Sequence, residues 1–449
     1  MTRESTASIN EQQLENYPRL GRLYNLLTGD EDTRVCKDIP DSSCKHQPLN
    51  FFAYLFSNLF TKIADELASA RLILPWMLGA LGAPAAFTGF LVPIREAGVL
   101  LPQLAVAAVI RRMAIRKSVW IVGAVLSALA MFLMAATVAR FSGTAAGWAV
   151  VILITLYSLA KGLCSVAAKD VLGKTVSKTR RGILMGYSAG IAGIATLLLG
   201  LYIKFVPGQP GDTRVLFLFM LAGGVLWMLA VVIFTLIREE PGATEGGGNA
   251  LTVALEGLEL LKDDAGFRHF VIARGLLLSV ALVPPFYVLM AQQYSSGIAG
   301  LGLLIIANGL AGSLSAPIWG RLGDRSSRLV MVIGAAATGS MGILFWLAGQ
   351  LQFEFMTSSW TYAALFFLVA TFHSGVRLGR KVYLVDMATT DNRATYVAVS
   401  NTVIGAMMLF GGGFGILADI LETATVIGLL GLLSLLAAIY ISGMKEVSG

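Results

Sequence analysis

Long apolar runs separated by short polar connections set the pattern of this chain. Residues 118–139 and 423–443 carry no charged side chain, and roughly 20 apolar residues are enough for one helix to cross a bilayer. Reading the pattern along the sequence predicts helical spans over 50–79, 84–110, 118–139, 145–168, 182–204, 214–237, 267–291, 297–319, 329–350, 359–384, 395–418 and 423–443. The first of these departs from the rest, because Lys62, Asp65, Glu66 and Arg71 interrupt it. It reads as one long helix, or as an interfacial amphipathic helix followed by a span starting near Arg71. A tight connection at 80–84 favours the single helix.

Charge adds a direction to the spans. Lys and Arg collect in alternate connections: Arg111, Arg112, Arg116 and Lys117; Lys169, Lys174, Lys178, Arg180 and Arg181; Arg321, Arg325 and Arg328; Lys381 and Arg393. The opposite connections hold only Arg140, Lys204 and Arg214. Basic connections stay in the cytoplasm, so both termini are expected there and the number of spans is even. The resulting organisation is a cytoplasmic segment at 1–49, a six-helix bundle at 50–237 and a cytoplasmic linker at 238–266. A second bundle at 267–443 and a tail at 444–449 complete it. Composition agrees: 56% of residues are hydrophobic and 14% charged, against about 45–50% and about 25% in soluble domains. A net charge of +7 would point to nucleic acid in a soluble protein; here it is a topology signal, and no nucleic-acid partner is expected.

The two bundles repeat one another. At an offset of 211 Gly89 falls on Gly300, Gly98 on Gly309, and Gly123–Ala124 on Gly334–Ala335; at 212, Lys169 falls on Lys381 and Arg181 on Arg393. The charged pairs at equivalent connections carry the most weight, and they predict two parallel repeats. Intramembrane prolines follow the same repeat, with Pro75, Pro84, Pro93 and Pro102 in or beside the first two spans and Pro284, Pro285 and Pro317 in the seventh and eighth. Each frees a backbone carbonyl and bends its helix, either as static packing or as part of a gate.

After the eighth span the chain reads Gly320-Arg321-Leu322-Gly323-Asp324-Arg325-Ser326-Ser327-Arg328. This is similar to the cytoplasmic loop motif G-x-L-x-D-R-x-G-R of the major facilitator superfamily, with Ser327 in place of the second glycine. The resemblance extends over residues 50–443 and implies an all-α integral membrane protein of twelve transmembrane helices. It also implies that Gly320, Asp324, Arg325 and Arg328 form a cytoplasmic gate whose charge contacts favour an outward-open state. In the first bundle Met113 stands where Asp324 does in the second, although Arg116 and Lys117 keep the basic character. Two departures argue against a drug/proton antiporter of the common kind. The fifth span has Gly186, Gly190, Gly193 and Gly200 but no proline, and Lys161 is the nearest basic residue to an arginine expected in the fourth.

Ionisable groups inside the spans are unevenly placed. Lys62, Asp65, Glu66 and Arg71 fall in span 1, Arg95 and Glu96 in span 2, Lys161 in span 4, Arg274 in span 7, and His373, Arg377 and Arg380 in span 10. The interiors of spans 3, 6, 9 and 12 have none. In the fold this chain resembles, spans 1, 4, 7 and 10 surround the central cavity, so the charges fall where water is expected. Charged groups at this depth cost several kcal/mol, about 2.5 or more, unless paired or solvated. The candidate substrate or proton pathway is therefore Asp65, Glu66, Arg95, Glu96, Lys161, Arg274, His373 and Arg377. The bland reading is local pairs such as Lys62 with Glu66, Glu96 with Arg95 or Arg274, and side chains reaching the interface. Seven basic groups against Asp65, Glu66 and Glu96 favour an anionic solute. Glu96, then Asp65, Glu66 and His373, are the groups to examine for proton coupling.

The expected function is a secondary active transporter of a small anionic solute working by alternating access, monomeric and multi-pass in the plasma or inner membrane. The alternatives are multidrug efflux and a transporter-shaped protein that only binds a partner. No cofactor is expected beyond a coupling proton, and no phosphate-binding loop or catalytic motif points to an enzyme. Cys36, Cys44 and His46 form a C-x7-C-x-H arrangement that is not a standard zinc spacing and lacks a fourth ligand. They read as reduced cytoplasmic thiols, with no metal site.

Overall fold

The computed structural model describes residues 17–28, 39, 41–100, 112–205, 212–242, 244, 259–295, 297–389 and 393–447. Among them every regular element is helical. The first group is α1 (Pro18–Thr28), α2 (Asp41–Lys45), α3 (Gln47–Leu67), α4 (Ile73–Ala80), α5 (Ala85–Leu100), α6 (Lys117–Arg140), α7 (Gly143–Thr175), α8 (Lys178–Lys204) and α9 (Arg214–Thr235). After α10 (Leu260–Asp263) the second group begins with α11 (Ala265–Leu276), α12 (Leu278–Leu282) and α13 (Pro284–Gln293). It continues through α14 (Ile298–Arg325), α15 (Ser327–Gln350), α16 (Ser359–Met387), α17 (Arg393–Phe410), α18 (Gly413–Leu421) and α19 (Thr423–Ser442). Among the described residues ten stretches are long and apolar enough to cross a membrane: α6 to α9, Ala265–Gln293, α14, α15, α16, Thr395–Leu421 and α19.

The expected single helix over 50–79 is corrected to two, α3 and α4, separated at 68–72. Pro75 explains the break. A helix running through it would need an amide to meet the carbonyl of residue 71, and proline has none. The Leu74 amide instead reaches back to the Ser69 carbonyl, 3.0 Å away. The second expected span is described as α5, and its continuation over 101–110, with Pro102, lies outside the described residues. Pro284 and Pro285 interrupt the seventh span in the same way, at Val283 between α12 and α13. Gly411 and Gly412 form a turn between α17 and α18.

The gate motif is less of a loop than its pattern suggests. Gly320 to Arg325 complete the last turns of α14, and the single residue Ser326 links them to α15 while its hydroxyl accepts from the Leu329 amide at 3.0 Å. Such an N-cap satisfies one of the orphan donors of a helix start.

Within the first group α3 packs on α8 and α9, and α6 on α7 and α9; within the second, α14 packs on α16 and α15 on α19. The seam between the groups is made by α5 against α17 and α18, and by α8 against α14. One end of that seam is tightly shut. A Cβ on Gly89 would lie 2.4 Å from the Gly415 Cα, and one on Gly302 2.6 Å from the Lys204 amide nitrogen. Both oxygens of Asp419 accept from backbone amides at the start of α5, Ala85 at 2.8 Å and Ala86 at 3.0 Å. The Gln292 amide reaches the Trp76 carbonyl across the same end at 2.9 Å. Toward the end that carries the basic connections, Gly186, Gly190 and Gly193 on α8 and Gly312 and Gly320 on α14 would meet nothing within 4 Å.

The N-terminal segment is tied to the basic end. Tyr24 of α1 stacks edge-on against Phe51 at 5.3 Å, and Gln47 donates to the Tyr24 hydroxyl at 2.6 Å and to Ser177 at 3.1 Å. Arg180 donates to the Thr28 carbonyl. Cys44 is disulfide-bonded, which corrects its reading as a reduced thiol; Cys36 lies outside the described residues. His46 is engaged by the Tyr17 hydroxyl at 3.0 Å.

Candidate functional site

Two cavities are lined by these charged helices. The larger, about 560 Å³, takes Lys62, Glu66 and Arg71 from the α3–α4 region, Thr196 from α8, Asn308 and Ser313 from α14, and His373 and Arg377 from α16. The smaller, about 290 Å³, lies within the first group and is bounded by Asp65, Ser69, Arg71, Arg95 and Glu96. Asp65 and Arg71 border both. The break at 68–72 is what makes this possible. It lets Arg71 line the larger cavity with Lys62 and Glu66 while pairing with Glu96 of α5.

Asp65 is the hub of the smaller cavity. Lys161 binds one carboxylate oxygen at 2.7 Å, and Arg95 approaches the other at 3.3 Å. The Tyr157 hydroxyl donates to it at 2.6 Å and itself accepts from the Trp227 indole at 3.2 Å. The two cations also lie over aromatic faces, Arg95 5.1 Å from the Tyr157 ring centre and Lys161 4.7 Å from that of Trp227. Charge-assisted hydrogen bonds of this length are the strong ones, and together they commit Asp65 fully. Glu96 pairs with Arg71 at 2.7 Å. The expected partners of Glu96, Arg95 and Arg274, are thereby corrected.

The other candidates are placed differently. Glu66, Lys62 and Arg377 face the larger cavity, and the expected Lys62–Glu66 pair is not formed among the described residues. His373 and Arg377, one turn apart on α16, share that wall, with Arg380 within electrostatic range of Glu96 and Arg71. Arg274 lies away from both cavities. It is 7% exposed and donates to Ser400 at 2.6 Å and Asn401 at 3.1 Å, which ties α11 to α17.

In the gate motif, Arg328 holds the end of α19 through the Met444 carbonyl at 2.6 Å and Glu446 at 3.4 Å. Asp324 and Arg325 are exposed and form no ion pair among the described residues. Reading the motif alone missed a stronger cluster in the first group. Asp170 pairs with Arg116 and, at 3.0 Å, with Lys174. Glu239, whose side chain is fully buried, binds Lys174 at 3.1 Å and accepts from the Arg116 and Lys117 amides at 2.9 Å and 2.7 Å. The clue in the sequence was the abundance of bases around Met113, which needed acids from elsewhere.

Two packed groups of helices thus surround a charged cavity, and their seam is shut at one end and open at the other. Residues 270–445 match the Major Facilitator Superfamily, and solved transporter structures share the fold over most of the chain. The chain is similar to a POT family transporter in complex with 5-aminolevulinic acid (14% identity, TM-score 0.67, covering 87% of this chain and 95% of that one). It is similar to a D-xylose-proton symporter (16%, 0.61, 89% and 97%) and to the nucleoside transporter NupG (14%, 0.66, 88% and 99%). No curated protein matches it in sequence.

Proposed function

We propose that this protein is a secondary transporter that moves a small anionic solute by alternating access. The observation that carries the reading is the larger cavity, where Arg71 from the first group and Arg377 from the second border one volume. Asp65 and Glu96 are already neutralised by Lys161, Arg95 and Arg71. Lys62 and Arg377 therefore exceed Glu66, and a basic surplus between low-dielectric walls attracts an anion. An anion that touched both groups would favour drawing them together, which is the differential affinity that a conformational change needs.

In this reading the chain forms twelve spans in two parallel repeats, with both termini and the basic connections in the cytoplasm of a plasma or inner membrane. It works as a monomer, and the open end faces the cytoplasm. The coupling ion is a proton, as in the D-xylose-proton symporter to which the chain is similar. Glu66 is its carrier, being a cavity carboxylate that forms no ion pair among the described residues. No other cofactor takes part.

Thermal unfolding of the purified protein with organic anions, neutral sugars and lipophilic cations tests the anion reading, since a ligand of the native state raises its apparent stability. The expected result is stabilisation by anions alone, lost in Arg377→Ala. Stabilisation by lipophilic cations would replace it with multidrug efflux. Failure of every ligand class, with capture of a partner through residues 1–49, would replace it with a binding protein. Anion uptake into vesicles that ignores an imposed pH gradient would remove the proton.

A further inference from the structure

We propose that the solute is a hydroxylated anion, a sugar acid or hydroxy acid of about hexose size, rather than a plain alkyl carboxylate. The proposal rests on the anion reading above and takes it further. The wall of the larger cavity formed by α14 and α16 is not merely polar; part of it has unspent hydrogen-bonding capacity. His373 is 8% exposed; its buried ring lies against the Val280 backbone, and neither ring nitrogen has a hydrogen bond of ordinary geometry. The Asn308 side chain beside it on α14 also faces the cavity with no hydrogen-bond partner among the described residues.

The neighbouring hydroxyls differ. Ser313 donates to the Gly309 carbonyl at 3.0 Å, Ser374 to that of Thr371 at 2.8 Å, and Thr196 to that of Ala192 at 2.9 Å. They are satisfied by their own helices. On α14 and α16 spare capacity therefore lies at Asn308 and His373; Ser69 of the first group adds a hydroxyl with no hydrogen-bond partner among the described residues.

The chemistry of those two groups selects the ligand. A carboxamide presents both donors and an acceptor, and a neutral imidazole presents one of each. A hydroxyl group donates and accepts, so it matches both; a carboxylate only accepts, and an alkyl chain does neither. Buried polar groups left without partners carry a penalty, and a site built to bond a hydroxyl rejects an analogue that lacks it. The carboxylate of the solute belongs with Arg71 and Arg377. Its hydroxyls belong with Asn308 and His373, and Phe366, Leu72 and Pro284 supply an apolar patch for its carbon face. The cavity volume of about 560 Å³ admits a molecule of this size with some water.

The test is a binding series on the intact purified protein, read by calorimetry or by unfolding temperature, with glucuronate, hexanoate, glucose and N-acetylglycine. Glucuronate is expected to bind at least about tenfold more tightly than each of the others, the gain of two hydrogen bonds in place of none. Asn308→Ala and His373→Ala are expected to reduce glucuronate to the level of hexanoate while hexanoate is unchanged. Equal binding of hexanoate and glucuronate, insensitive to Asn308→Ala, would overturn the proposal and leave the anion reading standing. N-acetylglycine binding as tightly as glucuronate would overturn it in favour of amide recognition. Glucose binding as tightly as glucuronate would overturn the anion reading and keep the hydroxyl wall. Because the wild-type series decides on its own, misfolding of a variant does not remove the test.

Discussion

The two ends of the seam between the helix groups are built from the same helices and behave as opposites. At one end α5 meets α18 and α8 meets α14 so closely that glycine is required, and Asp419 caps a helix of the other group. At the other end glycines of the same α8 and α14 face empty space. A helix pair that touches at one end and diverges at the other is a wedge. The lesson is that the closed end is held by specific short contacts, whereas the open end is available to close.

The largest effect is expected from Gly89→Leu. Its side chain would be driven into the Gly415 backbone, and overpacking of this kind costs about 1–3 kcal/mol. Distances between spin labels at the outer ends of α5 and α18 should lengthen; unchanged distances would mean that the close approach is not what shuts this end. Asp419→Ala comes next. It uncaps α5, whose preceding residue Pro84 offers no side-chain acceptor, at about 0.5–2 kcal/mol, and the same label pair should show a minor open population. An unshifted distribution would reduce Asp419 to decoration.

Gly190→Ala probes the other end. With nothing within 4 Å of the new methyl group, the helix should gain about 0.5–1 kcal/mol from propensity, read as a higher unfolding temperature. A lower temperature would show that this face is already packed. The smallest effect separates capping from closure. Asp264, just before α11, caps its own helix by accepting from the Phe267 amide at 2.9 Å. The Tyr396 hydroxyl and that amide hold its carboxyl below the ordinary carboxylate range. Its contribution to stability is therefore present above the unfolded value, near pH 4, and is lost as pH falls through the lower folded value. The group is only partly buried, so solvent screens it and the loss is small. Melts at falling acid pH should show it in the wild type and not in Asp264→Asn, with the label distances across the seam unaffected.

Much of the architecture was legible because lipid leaves few options. The uncharged runs at 118–139 and 423–443 had to be helices, and they are α6 and α19. Local chemistry was less legible where two constraints competed. Around residue 70 the tight connection at 80–84 favoured continuity, while Pro75 forbade the hydrogen bond that continuity required. Partner choice was hardest to read, because it depends on which helices lie side by side. Glu96 finds Arg71 across the break rather than its neighbour Arg95, and Arg274, a base in a span, serves as a strut to Ser400. Asp170 and Glu239, which no motif singles out, are the anchors of the basic end. The roles of the candidate site residues in transport are a separate matter, which the ligand series addresses.

The chain from Trp227 through Tyr157 to Asp65 also has an optical consequence. Trp227 is fully buried, its indole donates to the Tyr157 hydroxyl, and the Lys161 ammonium sits 4.7 Å from its ring centre. A nearby cation shifts the energy of the indole excited state, so the colour of its emission depends on where Lys161 stands. Any event that draws Lys161 toward or away from Asp65 is thereby written into the native fluorescence of the protein, with no dye attached.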